Sequence, residues 1–148
     1  MGKEKWLQSN AETRGFQIKG ARLKNYLWKF FGEHVFHMLI DPFRGTRTNW
    51  LRLFGARIGK GSFFDSRCVI VSPYKIEVGN NCFFDQYVYI NGTIKVENNV
   101  SVSSFTKLIA GGHNVRSRHF EYYDKPIVIK DGVFIGANTV VMGGGKNR

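Results

Sequence analysis

The segment LIAGGHNVRSRHFEYYDKP, Leu108 to Pro126, collects side chains that could move a proton or meet an anion. It holds His113 and His119, the cations Arg116, Arg118 and Lys125, three aromatics, and the pair Gly111–Gly112. An unperturbed imidazole, with a pKa of about 6.5, is largely neutral at pH 7 and can accept a proton and return it. Zinc chemistry would need about three such ligands converging on one point. The second half of the chain offers only His113 and His119, and Cys68 and Cys82 form no CxxC pair, so no metal is expected. His34 and His37 stand in a different segment with no partner cluster.

The segment interrupts a rhythm of six. Apolar residues stand at Ile58, Phe64 and Ile70, then at Val78, Phe84, Ile90, Val96, Val102 and Leu108, and again at Ile129, Ile135 and Val141. Four positions after each anchor runs a column of smaller or β-branched residues, among them Ser62, Cys68, Cys82, Val88, Val100, Thr106 and Thr139. A period of six fits neither a helix nor a hairpin and marks a repeat protein. Each unit reads as a short strand and a corner, three units closing a triangular coil that stacks on the next at the strand spacing of about 4.8 Å. Anchors 78 and 96 are one coil of eighteen apart, 58 and 78 one coil plus two, and 96 and 129 one coil plus fifteen. Residues 110–126 are therefore an excursion looped out of one coil, and long loops in compact domains are usually functional. Glycine or a short polar residue one place after the anchor (Gly59, Gly79, Asp65, Asp85) predicts unusual backbone angles there.

Residues 1–56 have another period. Leu23, Tyr26, Leu27, Phe30, Phe31 and Val35 share one face at helical spacing, with Pro42 and Gly45 as the stop, and a shorter apolar turn follows with Trp50, Leu51 and Phe54. The expectation is a helical cap over 1–56, packed on a solenoid over 57–148. The other reading lays this basic segment on a membrane surface, with its aromatics on the lipid side. The 148 residues carry +11, split +6 and +5 between the two segments, an even spread that suits anionic small molecules better than a nucleic-acid stripe. No run of eighteen apolar residues and no signal-like start is present, so the chain reads as cytoplasmic.

The units IGKGSF, VGNNCF and IGANTV, with a histidine-bearing loop between coils, resemble the hexapeptide-repeat acyltransferases. The blocks NWLRLFGARIGKG, SPYKIEVGNNCFFDQYVYING and KPIVIKDGVFIGANTVV are similar to the colanic-acid-biosynthesis acetyltransferases, and more distantly to maltose and galactoside O-acetyltransferases. The resemblance implies an all-β solenoid, a left-handed parallel β-helix, assembled as a homotrimer with acetyl-CoA in grooves between neighbouring subunits. Handedness comes from the resemblance alone, since general crossover rules favour the right-handed form. The activity implied is O-acetyl transfer to a hydroxyl of a sugar, nucleotide sugar or polysaccharide precursor, with no nucleic acid involved.

Carried over by position, the resemblance makes His113 the catalytic base, with Gly111 and Gly112 allowing close backbone approach to the oxyanion. It places Asp85 where sugar acetyltransferases carry an acceptor-binding asparagine, with Asn91 as the other candidate. Phe134, Ala137 and Asn138 match the segment that lines the pantetheine arm. The related enzymes continue beyond the point where VVMGGGKNR ends this chain, so the alternative expectation is a trimeric scaffold with impaired or no activity.

Overall fold

A computed structural model of the chain describes residues 19–40, 45–119 and 121–144. Pro42 and the last four residues lie outside them. The chain from Arg57 onward winds as a left-handed parallel β-helix. Sheet A stacks β1 (Arg57–Ile58), β4 (Ile76–Val78), β7 (Ile94–Val96) and β12 (Ile127–Ile129). Sheet B stacks β2 (Phe63–Phe64), β5 (Phe83–Phe84), β8 (Ser101–Val102) and β13 (Phe134–Ile135). Sheet C stacks β3 (Val69–Ile70), β6 (Tyr89–Asn91), β9 (Lys107–Ile109) and β14 (Val140–Met142). All pairs within these sheets are parallel, and anchor meets anchor: Ile58 on Val78 on Val96, and Phe64 on Phe84 on Val102.

Strands of two or three residues persist because their hydrogen bonds run to the coils above and below. Phe63 N–H donates to Cys82 O at 2.8 Å, Phe83 N–H to Val100 O at 2.9 Å, and Ser101 N–H to Val133 O at 3.0 Å. The anchors fill the interior, where the Phe64 and Phe84 rings lie parallel with centroids 4.3 Å apart. The smaller column does more than fit. Ser62 Oγ donates to Gly79 O at 2.7 Å, Cys68 Sγ to Asp85 O at 3.2 Å, Cys82 Sγ to Glu97 O at 3.0 Å, and Thr106 Oγ1 to Gly136 O at 3.0 Å. In each case a side chain four places after one anchor satisfies the carbonyl one place after the anchor of the next coil. Burial pushes the Cys68 thiol up to about 12, so it stays protonated and keeps that donor.

The unusual angles do not fall one place after the anchor, as the glycines suggested. They fall three places after it, at Gly61, Asn81, Tyr87, Asn99, Phe105, Gly132 and Asn138, whose φ values run from 53° to 71°. Gly59 and Gly79 are glycine for space. A Cβ on Gly59 would stand 2.4 Å from Asn80 Oδ1, and one on Gly79 would stand 2.6 Å from Asn98 Oδ1. Those amide oxygens accept the backbone N–H groups of Lys60 and Asn80, which ties corner to corner.

The N-terminal cap packs by a different face from the one its apolar stripe predicts. Helix α1 (Lys19–Leu27) passes through a π turn (Trp28–Gly32) into α2 (Glu33–Met38), and α3 (Thr46–Leu53) follows. Trp28 and Phe36, each 1% exposed, and the buried Gly32 face the coils, whereas Leu23, Tyr26, Leu27 and Phe30 point outward. Two constraints override the count of apolar residues. The Trp28 indole N–H finds a buried acceptor in Ile70 O at 2.7 Å, and only glycine fits at 32, where a Cβ would lie 2.7 Å from Trp28 and 3.0 Å from Phe54. Trp28 meets Phe54 and Phe36 edge-on, at 5.1 and 6.1 Å.

After Ile109 the chain leaves the prism as β10 (Gly111–His113) and returns as the antiparallel β11 (Tyr122–Asp124), before Ile127 rejoins sheet A beside Ile94. One carboxylate fastens the base of this hairpin. Asp124 accepts Lys75 Nζ at 2.7 Å, Thr93 N–H at 2.9 Å and Thr93 Oγ1–H at 2.9 Å, donors from the two preceding corners of the same edge. Burial raises its pKa, but the Lys75 ion pair and the Thr93 bonds outweigh that and hold the carboxyl below the usual carboxylate value.

Trp28→Ala is expected to cost about 3–5 kcal/mol in urea unfolding, and Phe30→Ser no more than about 0.5 kcal/mol. Equal losses would return the packed face to the apolar stripe. Asp124→Ala is expected to lose about 2–3 kcal/mol at pH 7. The folded-state pKa of Asp124 lies below its unfolded value, so its stabilisation is complete above about pH 4 and disappears as pH falls through the folded value. The gap between wild type and variant should therefore narrow toward pH 3.

Candidate functional site

The prism has three long edges, and the residues singled out in the sequence fall on two of them. The edge between sheets C and A carries the hairpin. His113 stands exposed at the end of β10, opposite Tyr122, whose ring meets the imidazole edge-on at 5.6 Å. Lys75 Nζ lies 5.5 Å over the same Tyr122 ring while it holds Asp124, so clamp, tyrosine and histidine form one continuous set of contacts. Gly111 and Gly112 have a packing reason for lacking side chains: a Cβ would stand 2.3 Å from the Tyr122 hydroxyl and 2.7 Å from the Tyr123 hydroxyl, respectively. Asn91 ends β6 on the same edge and, through its carbonyl, accepts Ala110 N–H at 2.7 Å at the point where the hairpin departs.

The edge between sheets B and C carries the second group. Asp85 is half-buried there, its carboxylate accepting Ser104 Oγ–H at 2.7 Å and Gln86 N–H at 2.8 Å. Ala137 and Asn138 lie two coils further along the same edge, both exposed, and Phe134, 71% exposed, sits on the neighbouring outer face of sheet B. Within one chain Asp85 and His113 are thus separated by the width of sheet C. Between them the outer face of that sheet forms a groove of about 400 Å³ lined by Val69, Tyr87, Tyr89, Lys107 and Ile109.

Sequence reasoning missed two features of this region. The clamp was invisible because Lys75 and Thr93 lie 49 and 31 residues from Asp124 and meet it only through coil stacking. The other feature is the pair Tyr87 and Phe105, bulky side chains in left-handed backbone at φ 58° and 62°, where the other corners of this kind use Gly or Asn. Such a conformation costs a side-chain-bearing residue about 1–2 kcal/mol. The two rings stack 4.9 Å apart at 14°, and the Arg67 guanidinium lies 5.3 Å from the Tyr87 ring, which offsets part of that cost. A sequence signal existed: both residues stand three places after an anchor, in register with Asn138. His119, Arg116 and Arg118 are exposed in the hairpin loop, away from any cluster that could bind a metal; among the described residues no three His, Cys, Asp or Glu side chains converge.

The outer faces of the prism differ. Sheet A presents the ionic row Arg57, Glu77 and Lys95, with Arg57 Nη2 2.9 Å and Lys95 Nζ 3.8 Å from Glu77 carboxylate oxygens. Sheet B presents Phe63, Phe83, Ser101 and Phe134, and sheet C presents Val69, Tyr89, Lys107 and Val140. Sheets B and C are therefore mostly apolar outside as well as inside, each row broken by one polar residue, Ser101 or Lys107.

No protein-family model matches the chain. The chain is 30% identical, over 149 aligned positions, to WcaF of Escherichia coli (strain K12), named as a colanic acid biosynthesis acetyltransferase; the match spans 88% of this chain and 82% of WcaF. The protein of the same name from Shigella flexneri matches to the same extent. Among solved structures, a mutant of AntD, an N-acyltransferase from Bacillus cereus crystallised with dTDP and coenzyme A, superposes with a TM-score of 0.51 at 17% identity. That superposition covers 60% of this chain and 54% of the AntD chain, so the likeness spans about half of AntD and concerns the fold alone. The extent of the WcaF match, running through the coils, the hairpin and the cap, decides the family: the chain belongs to the hexapeptide-repeat acyltransferases, in the group that contains WcaF.

Proposed function

We propose that the protein transfers an acetyl group from acetyl-CoA to a hydroxyl of a sugar or polysaccharide precursor, with His113 as general base. The observation that carries this reading is the hairpin. An exposed imidazole is held at an edge of a rigid prism by a half-buried ion pair, in a chain whose relatives are named for acetyl transfer. In the reaction, the acceptor oxygen gives its proton to His113 as it attacks the thioester carbonyl carbon. The C–S bond then breaks, and the imidazolium returns the proton to the departing thiolate, leaving an ester and free coenzyme. The backbone N–H at Gly111 is the proposed oxyanion donor, with Gly112 held beside it opposite Tyr123 in the hairpin ladder. Asp85 is the proposed acceptor-binding carboxylate, since two bound donors leave lone pairs for a sugar hydroxyl. The exposed ring of Phe134, with Ala137 and Asn138 beside it, suits the thin, partly apolar pantetheine arm.

The split of these residues over two edges supports a homotrimer. If the B–C edge of one copy lies against the C–A edge of the next, His113 meets Asp85, Ala137 and Asn138 of its neighbour, and the mostly apolar outer faces of sheets B and C gain cover. The strained, stacked Tyr87 and Phe105 stand on that edge, where strain stored for binding is commonly found.

Thiol release from acetyl-CoA, measured against a panel of sugars and nucleotide sugars, tests the reading. His113→Ala is expected to slow turnover by about 10²–10⁴-fold with coenzyme affinity in calorimetry little changed. Equal rates for both proteins would remove the base assignment, and a wild type that binds no coenzyme would favour a scaffold. Asp85→Ala is expected to raise the KM for the acceptor by about tenfold or more, with a smaller effect on the KM for acetyl-CoA.

A further inference from the structure

The face of the N-terminal helix that points away from the coils is apolar and has no cover among the described residues. Tyr26 and Phe30 are 73% and 75% exposed, and Leu23 and Met38 are exposed beside them along the same stripe. The inward face is already filled by Trp28, Gly32 and Phe36, so these side chains have no role in holding the cap. Two bulky aromatics and two aliphatics on one stripe are more than scattered surface apolar residues account for.

Charge decides what meets the stripe. Lys24 and Lys29 are exposed and flank it, and the described carboxylate nearest in sequence, Glu33, faces His37 at 3.9 Å. Residues 1–40 hold seven Lys or Arg against three Asp or Glu, a net +4 in a chain of +11. A second copy would bring the same cations against each other. An anionic lipid surface accepts both features: aromatics enter the headgroup–acyl boundary while lysines on either side meet phosphate. No helix among the described residues is long and apolar enough to cross a membrane, so the contact is one of lying on the surface.

We propose that the stripe Leu23–Tyr26–Phe30–Met38, with Lys24 and Lys29, docks the protein on anionic lipid bilayers. This surface is separate from the prism edges that carry His113 and Asp85, and the proposal stands or falls independently of the acetyl-transfer reading.

The experiment is co-sedimentation of the full chain with large vesicles of phosphatidylcholine, with and without phosphatidylglycerol, at low and high salt. Binding is expected on the anionic vesicles at low salt, at least about tenfold stronger than on phosphatidylcholine alone, and weaker at high salt. Tyr26→Ser/Phe30→Ser should reduce that binding by about tenfold or more, and Lys24→Glu/Lys29→Glu should do the same while leaving the apolar stripe intact. Thiol-release activity on soluble acceptors should be unchanged in both variants. Absence of binding to anionic vesicles overturns the proposal, as does equal binding by wild type and both variants. A fall in oligomer mass for the serine variant in light scattering overturns it too, since the stripe would then be a contact between copies.

Discussion

Everything in this protein depends on each coil finding its acceptors and donors in the next. Strands of two or three residues cannot sustain a sheet alone; they hold because N–H groups reach across to the neighbouring coil while an anchor closes the interior beneath them. The small buried column adds a second link, from Ser62, Cys68, Cys82 and Thr106 to the carbonyl of the next corner. A carbonyl buried at a corner without such a donor would cost about 1–3 kcal/mol, so these residues serve as partners as well as filler. The regularity that results is what lets one coil depart from the prism and return in register after the excursion from Ala110 to Pro126.

That rigidity explains how an exposed histidine can be placed accurately. Loops tolerate function but rarely hold a side chain still. Here the hairpin strands pair with each other, and Asp124 ties their base to Lys75 and Thr93, so His113 inherits its position from the coil. Backbone strain appears elsewhere, in the left-handed Tyr87 and Phe105 on the opposite edge of sheet C. Their rings stack rather than pack inward, which suits an edge that must be ordered before anything covers it.

The solenoid was legible from residue types because a period of six has one physical meaning, and the burial of every anchor from Ile58 to Ile135 follows it. What could not be read was anything decided by a single donor or a missing Cβ. The helix face went to Trp28 and Phe36 because an indole N–H needed Ile70 O and because Gly32 leaves room for rings, although more apolar residues lay on the other side. Gly59 and Gly79 similarly reported space for Asn80 and Asn98, and the strained angles lay two residues further on. The candidate site was half legible: His113 draws attention by standing where the repeat breaks, whereas the clamp beneath it is assembled from three coils' worth of sequence. Asp85 and Asn138 share an edge that His113 does not, a separation that no linear reading reveals.

The central claim is that a working site joins the His113 edge of one copy to the Asp85 edge of the next. Complementation between two impaired variants tests it most directly. His113→Ala and Asp85→Ala chains, co-expressed and purified as mixed oligomers and assayed with acceptor well below the wild-type KM, should release thiol faster than either variant alone, at about a quarter of the wild-type rate, because random assembly leaves that share of heterologous interfaces with both native residues. Mixed oligomers no more active than the better single variant would contradict the account and place the site, if there is one, within a single chain.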